Sequence, residues 1–266
     1  MKKIIVGIII GVIISGTIGV LASTIISSSN VTYQNKTVKE SLDELYSKAT
    51  KYREYQNGDV VYYNPETNKR CSAKESNSQT GTKTGCMKWY TFNDEGANSS
   101  TVNMILDHNT TAGVAWNSTG RNSEMKEAAN ALTKDTQSWN SSLNARLITA
   151  NEVAKITGNS SFSGITSTGD SWFCFDTNQS DSTNLCKKVQ GASKNAWLFD
   201  YTNGCTNHGC NIEESSTYGY WTSSVVAGSS SSAWHVNRNG NLGSNSVVTT
   251  HDGIRPVITI SKKVIS

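Results

Sequence analysis

The sequence of 266 residues has only two prolines, Pro65 and Pro256, and almost no net charge. Its 24 basic and 21 acidic side chains give a formal charge of +3. Nucleic-acid-binding proteins usually carry a clustered basic face, so a balance this mild predicts no nucleic-acid partner. Hydrophobic residues make up 36% of the chain, which is low for a globular protein. Part of this hydrophobic content lies in the first 26 residues.

The chain also lacks the motifs of common catalytic and metal sites. It has no glycine-rich phosphate loop and no HExxH sequence, and the carboxylate pair Glu213–Glu214 lacks a spacing suited to acid–base catalysis. Asp107 and His108 are neighbours in a predicted strand, Thr101 to Asn109, where adjacent side chains point to opposite faces. We therefore predict that the protein is not an enzyme, has no catalytic residues and holds no metal or cofactor.

Aromatic residues are plentiful, with seven tryptophans and ten tyrosines. Disordered segments are poor in aromatic residues, so this content indicates a folded chain. Serine, threonine, asparagine and glycine dominate the remainder of the sequence. The combination predicts a polar, β-rich protein whose loops are anchored by aromatic side chains.

The first residues predict export. Residues 4–26 carry no charge and follow "MKK", and a run of this length can span a bilayer with its lysines on the cytoplasmic side. The run is either a membrane anchor or a cleaved signal peptide, because "VLA" at residues 20–22 is an acceptable cleavage site. We predict a protein that is anchored in the cell membrane facing outside, or secreted.

All six cysteines follow the hydrophobic run, and an even number in an exported chain predicts disulfides. The spacing favours pairs of neighbours in the sequence. These pairs are Cys71 with Cys86, Cys174 with Cys186, and Cys205 with Cys210. An alternative is zinc binding by Cys205, His208 and Cys210, but a structural zinc site needs a fourth ligand and no second pair lies near.

The segment after the hydrophobic run predicts a helix. Its apolar residues recur at helical spacing, namely Val38, Leu42, Leu45, Ala49 and Tyr52. Thr37 and Glu40 have the spacing of a capping box. The helix is either a stalk that stacks on the following domain or a surface for self-association through its apolar stripe.

The remainder predicts a single domain, so we divide the chain into residues 1–28, the stalk segment 29–55 and the domain 56–266. Predicted strands cover residues 58–64, 85–93, 101–109, 146–148, 219–224, 232–238, 245–250 and 254–260. Two helices are predicted, the first from Asn122 to Thr136. The second follows Thr149, which has Glu152 three residues later, and stops at Gly158.

Three stretches in this order carry a resemblance: "NARLITANEVAKI", "GYWTSS" and the closing "GIRPVITIS". Together with "AWHV", they resemble a bacterial branch of the C-type-lectin-like fold. Related branches include formylglycine-generating-enzyme-like domains and the variable domains of diversity-generating retroelement proteins. The layout also looks like exported proteins of Gram-positive gut bacteria. The resemblance implies an α+β fold with small antiparallel sheets, two short helices and long disulfide-stapled loops.

Several residues of these stretches are predicted to be structural. Trp221 and Trp234 are expected to fill the core beneath the loops, and ligand contact is the alternative. Arg255 precedes Pro256, so its backbone is expected to be extended and its guanidinium able to donate to loop carbonyls. The period of two along the last strand predicts apolar contacts from one face of it.

In the resembled fold, the segment between these C-terminal strands faces the ligand. Short polar side chains can line such a site at little entropic cost. The predicted ligand-binding residues are Ser230, Ser231, His235, Asn237, Asn239, Asn241, Asn245 and His251. Neighbouring serines extend the same surface, namely Ser229, Ser232 and Ser244. The alternative is that all of these are ordinary solvated loop residues.

We therefore expect an exported surface module that recognises an unknown extracellular glycan or protein. The calcium-binding tripeptides of lectins with this fold are absent, so we expect no calcium requirement. No cysteine follows Cys210, which argues against formylglycine-generating activity. The alternative function is a structural or pilin-like envelope-assembly subunit that binds no small ligand.

Overall fold

The computed structural model describes residues 32–33, 35–49, 51–79, 81–158, 173–174, 195–198, 219–237 and 241–266. The chain divides into two compact units, Met1–Lys51 and Tyr52–Ser266. The hydrophobic run at residues 4–26 lies outside the described residues. Within the described part of the chain, no helix is long and apolar enough to cross a membrane.

The first unit contains a short strand pair and a helix. Strands β1 (Thr32–Tyr33) and β2 (Lys36–Thr37) are antiparallel, and helix α1 spans Val38–Ala49. The predicted capping box forms, because Glu40 N–H donates to Thr37 Oγ1 at 3.1 Å while Thr37 N–H donates to Glu40 Oε2 at 2.6 Å.

In the second unit, a five-stranded antiparallel sheet, sheet 1, is ordered β12–β6–β5–β3–β4. Its strands, in chain order, are β3 (Val60–Asn64), β4 (Lys69–Arg70), β5 (Met87–Phe92), β6 (Thr101–Leu106) and β12 (Val257–Ser261). The C-terminal strand therefore closes the sheet beside β6, and the four-residue helix α4 (Lys262–Ile265) follows it.

The other five-stranded sheet, sheet 2, is ordered β11–β8–β9–β10–β7. Its strands are β7 (Phe173–Cys174), β8 (Gly219–Val225), β9 (Ser232–Asn237), β10 (Asn241–Ser246) and β11 (Asp252–Gly253). All pairs are antiparallel except β11 with β8, which is parallel over two residues. The architecture is thus α+β with small, mainly antiparallel sheets, as expected.

Two helices pack beside these sheets. Helix α3 spans Ala150–Thr157, with Thr149 as its N-cap, Glu152 completing the capping box and Gly158 as its left-handed C-cap, as predicted. Helix α2 spans Glu127–Asp135 and begins five residues later than the sequence predicted. Residues 122–126 are not helical, because they take part in loop contacts described below.

The core has three buried apolar clusters. The first joins both sheets to α3 and includes Phe92, Val153, Tyr220 and Trp234. The second lies on sheet 1 around Trp89. The third lies between sheet 2, α2 and the segment that precedes α2, and its aromatic and apolar members are Trp116, Ala128, Leu132, Leu147, Trp221, Ala233, Val247 and Ile254. Both faces of sheet 2 are therefore covered.

The first predicted disulfide is confirmed, because Cys71 and Cys86 are bonded with their Cα atoms 6.1 Å apart. The bond joins the segment after β4 to the start of β5. Cys174 lies in β7. Cys186, Cys205 and Cys210 lie outside the described residues, so the other two pairings and the zinc alternative stay predictions.

Candidate functional site

Three loops meet at one end of sheet 2. They are residues 117–122, which precede α2, residues 226–231, which join β8 to β9, and residues 247–251, which join β10 to β11. We call these residues the loop face. It contains part of the predicted ligand surface, and it adds residues 117–122, which the sequence assigned to no site.

Asn122 connects the first loop to the second. Its side-chain Nδ2 donates to the carbonyls of Ser229 and Ser232, both at 2.8 Å. Its backbone N–H donates to Ser230 O at 2.9 Å. One asparagine therefore fixes the path of the serine-rich loop by three hydrogen bonds.

The third loop is held in the same way by backbone contacts. Val247 N–H donates to Ser231 O at 3.0 Å, and Val247 O accepts from Asn117 N–H at 3.0 Å. The Asn117 side chain closes its own turn, because Oδ1 accepts from Thr119 N–H at 2.8 Å and Nδ2 donates to Glu124 O at 2.7 Å. All three loops thus form one connected surface.

Ser118 ties this surface to α2. The Glu127 carboxylate in the first turn of α2 accepts hydrogen bonds from the Ser118 hydroxyl and from Ser118 N–H, the latter at 2.7 Å. These bonds favour the charged carboxylate and hold the pKa of Glu127 below its ordinary value.

The exposed part of the loop face is rich in hydroxyl groups. Its exposed residues other than glycine are Ser118, Thr119, Arg121, Ala227, Ser230, Ser231, Val248 and Thr250. Val248 is 48% exposed and lies beside Gly120, where an added methyl group would approach Val248 Cγ1 to 3.7 Å. The face therefore combines short hydroxyl side chains with one exposed aliphatic side chain.

Two predicted site residues lie beneath this surface. His235 is 2% exposed, and its Nδ1 lies 2.8 Å from Asp252 Oδ1. Asn245 Nδ2 donates to the other oxygen of Asp252 at 2.9 Å. Asn245 Oδ1 accepts from Thr249 Oγ1 at 3.3 Å, so this buried network supports the third loop from below.

The expectation that His235 and Asn237 are displayed at the surface is therefore wrong. Asn237 is 5% exposed. The physical reason is that both faces of β9 are covered, since Trp234 joins one apolar cluster and Ala233 another. His235 lies instead against Trp221, with ring centroids 6.1 Å apart.

Three further predicted ligand residues are Asn239, Asn241 and His251. Asn241 begins β10 and pairs with Asn237, whereas Asn239 lies outside the described residues. His251 is partly buried just before β11. The ligand roles of these residues stay predictions.

Trp116 and Trp221 belong to the apolar cluster that also contains Val247 of the third loop. Trp221 is fully buried and its Nε1 donates to Val114 O at 2.7 Å, while Trp234 is 2% exposed. Trp116 Nε1 donates to Thr222 O at 3.0 Å. Because the indole donors of Trp116 and Trp221 both end on backbone carbonyls, these two rings fill space and also fix the chain.

The Arg255 side chain links two other segments of the chain to the residues before the last strand. It is 1% exposed, and its guanidinium donates to the carbonyls of Leu106, Trp197 and Leu198 at 2.5, 2.8 and 2.9 Å. Its Cζ also lies 5.1 Å from the ring centroid of Tyr220. The next residue, Pro256, is buried and its carbonyl accepts from Leu106 N–H at 2.9 Å.

One expectation about side-chain placement is overturned. His108 Nδ1 lies 2.5 Å from Asp107 Oδ1, although strand alternation was expected to separate the two side chains. The reason is that β6 ends at Leu106, so alternation does not extend to these residues. Both side chains are buried. His108 Nε2 lies 3.0 Å from Thr82 O, so the pair links the segment after β6 to the segment that contains Thr82.

A sequence model of the family described as a domain of unknown function (DUF6273) matches residues 23–262. No curated protein and no solved structure matches the chain.

Proposed function

Because the chain belongs to the DUF6273 family, whose description assigns no activity, we propose a function from the loop face: the protein is an exported surface module that binds an extracellular ligand there. The observation that carries the proposal is the bonding of three separate loops by Asn122, Asn117 and Val247. A surface that is ordered before it meets its ligand loses less entropy on binding.

The chemistry of the face favours a protein ligand, and a glycan is the alternative. Hydroxyl groups of Ser230 and Ser231 can both donate and accept hydrogen bonds, which suits either partner. Val248 adds exposed aliphatic surface, and protein interfaces combine such apolar patches with a polar rim. The exposed residues include one charged side chain, Arg121, so the partner surface needs little charge complementarity.

The proposal includes the C-type-lectin-like fold and an extracellular location. Its support is the order of the sequence motifs, the α+β architecture with small sheets, and the position of two of the three loops of the loop face between C-terminal strands. The Cys71–Cys86 disulfide supports an oxidising compartment, because such bonds persist mainly outside the cytosol. Export through residues 4–26 and the absence of catalysis belong to the same proposal.

A direct test is a binding screen with the oxidised full-length protein in detergent. The screen presents extracellular proteins and glycans, each with and without a calcium chelator. We expect saturable, chelator-insensitive binding to a small set of proteins. Ser231→Arg should weaken this binding, because the new side chain projects from the middle of the face.

The matched control is Ser100→Arg, which places the same side chain at an exposed serine outside the loop face. If only glycans bind in the screen, the ligand of the loop face is a glycan and not a protein. Equal loss of binding in the two arginine variants would contradict the assignment of the loop face.

One observation favours the second candidate, an envelope-assembly subunit. On α1 the apolar side chains of Leu42 and Leu45 are 39% and 64% exposed. Exposed apolar residues on one helix face are typical of self-association. If this function is correct, sedimentation of the full-length protein should show an oligomer that Leu45→Lys dissociates, and the binding screen should find no ligand.

A further inference from the structure

A cavity of about 260 Å³ that is open to solvent lies in the second unit. Its walls come from residues 54–57, from Asn93, Asp94 and Gly96 in the turn after β5, and from Lys155 on α3. No residue is shared with the loop face, so the proposed function makes no use of this cavity.

Polar contacts of the Asp94 side chain hold the base of the cavity together. The Asp94 side chain is 3% exposed and forms an ion pair with the buried Lys262 ammonium at 2.5 Å. The same carboxylate accepts from Tyr55 N–H at 2.7 Å and from Gly96 N–H at 3.1 Å. Asp94 therefore joins both walls, and Lys262 neutralises its charge.

Two asparagines shape the rim and keep unused hydrogen-bonding groups. Asn57 Oδ1 accepts from Asn93 N–H at 2.8 Å, which supports the left-handed backbone of Asn93 at φ 47°. Asn93 Nδ2 donates to Glu152 O at 3.4 Å. Among the described residues, no hydrogen bond occupies Asn57 Nδ2 or Asn93 Oδ1, so one amide donor and one amide acceptor remain available to a ligand.

The other lining side chains add further groups. Glu54 Oε1 accepts from Ala97 N–H at 3.3 Å, which leaves its second oxygen available. Gln56 and Lys155 form no side-chain hydrogen bond within the part of the chain that the structure describes. The lining thus offers donors and acceptors of amide, carboxylate and ammonium type around one small space.

We propose that this cavity binds a single neutral sugar residue. Glu54 and Lys155 carry opposite charges and the charge of Asp94 is offset by Lys262, so these four side chains have no net charge and favour an uncharged ligand over an anion or a cation. Sugar hydroxyls donate and accept at once, which matches side-chain amides. The volume falls just below the ~300–1,000 Å³ of drug-sized ligand sites and suits one ring.

Saturation-transfer NMR on the full-length protein tests the proposal with five neutral probes: glucose, galactose, mannose, N-acetylglucosamine and N-acetylgalactosamine. Glucuronate and glucosamine are the charged probes. We expect saturable binding of at least one neutral sugar and weaker binding of both charged ones. Gln56→Trp should abolish the signal, because the indole fills the cavity, and Gln56→Ala should weaken binding by about tenfold through the lost hydrogen bonds.

The matched control is Gln137→Trp, which adds an indole at an exposed glutamine outside the cavity. Equal binding in Gln56→Trp and Gln137→Trp, or binding of charged probes alone, would overturn the proposal. If Gln56→Trp fails to fold, unchanged affinity in Gln56→Ala and Lys155→Ala would overturn it instead. Ser231→Arg should leave the NMR signal unchanged, so failure of the loop-face function and failure of this site are distinguishable.

Discussion

Among single residues, the fold depends on a few buried or partly buried polar side chains that bond to backbone carbonyls. Arg255 bonds to three carbonyls from two segments, and Asn122 bonds to the carbonyls of Ser229 in the second loop and of Ser232 at the start of β9. Loops have few apolar contacts, so such bonds decide whether they hold one conformation. Both residues therefore contribute more to the fold than their local sequence context indicates.

Arg255→Lys should lower the free energy of unfolding by about 2–4 kcal/mol. Lysine keeps the charge but cannot reach three carbonyls with the planar fork of arginine. Urea unfolding of the oxidised full-length protein, followed by tryptophan fluorescence, measures the change. The control Arg121→Lys, at an exposed position, should change the free energy by less than about 0.5 kcal/mol. Equal effects of the two substitutions would contradict the role assigned to Arg255.

Asn122→Ala should leave the fold intact and loosen the serine-rich loop. Loss of two hydrogen bonds to Ser229 and Ser232 should speed amide hydrogen exchange in residues 226–232 by about tenfold. Exchange measured by mass spectrometry tests this, with Asn130→Ala on α2 as the matched control. Unchanged exchange in the Asn122 variant would show that other contacts order the loop.

Among helices and strands, the bounds were predicted correctly where the sequence signal was local. Helix α3 has the predicted cap and stop, because Thr149, Glu152 and Gly158 act on backbone within one turn. The predicted start of α2 was wrong, because Asn122 donates a hydrogen bond to a loop more than 100 residues later in the chain. That contact has no local sequence signal beyond the tendency of asparagine to form turns.

The predicted position of β10 was also wrong, again because of contacts between distant parts of the chain. The β-branched residues of "NSVVTT" predicted a strand at 245–250, but β10 spans Asn241–Ser246. After Ser246 the chain turns, with Thr249 N–H donating to Ser246 O at 3.0 Å, and Val247 enters the third apolar cluster. Burial of Val247 in the third apolar cluster therefore outweighs the strand preference of its neighbours.

The cap of α3 predicts a pH-dependent stability. Burial raises the pKa of the Glu152 carboxyl, but hydrogen bonds from Arg146 and Thr149 outweigh burial and hold the pKa below its ordinary value. A lowered pKa in the folded state contributes stability above the unfolded value of about 4.3, and this contribution is lost as pH falls through the folded pKa.

Glu152→Gln should therefore lower the free energy of unfolding by about 1–2 kcal/mol at pH 7. The difference from the unchanged protein should shrink as pH falls from about 4.3 through the lowered folded pKa, below which the carboxyl group is protonated in both states. Urea unfolding between pH 7 and pH 3 measures it. Glu95→Gln, at an exposed position, is the control. A difference that stays constant with pH would contradict a role for the charge.

At the scale of the whole molecule, sheet 2 supports the loop face through buried groups. Trp116 and Trp221 belong to the same apolar cluster as Val247 of the third loop, and the His235–Asp252–Asn245 network extends from β9 to that loop. The sequence predicted a ligand surface near the C-terminus, but it could not separate the exposed serines from the buried His235 and Asn237. That separation depends on the segment before α2, which covers the outer side of β9.

The most direct test of the loop face as a binding surface compares two exposed valines. Val248 on the loop face is 48% exposed, and Val60 on β3 is 47% exposed. Each is changed to lysine, and the Kd for the ligand found in the binding screen is measured by calorimetry. We predict that Val248→Lys weakens binding by at least about tenfold, because it places an unpaired charge in the interface, whereas Val60→Lys leaves binding unchanged. Equal Kd values for the two variants would contradict the loop face as the binding surface.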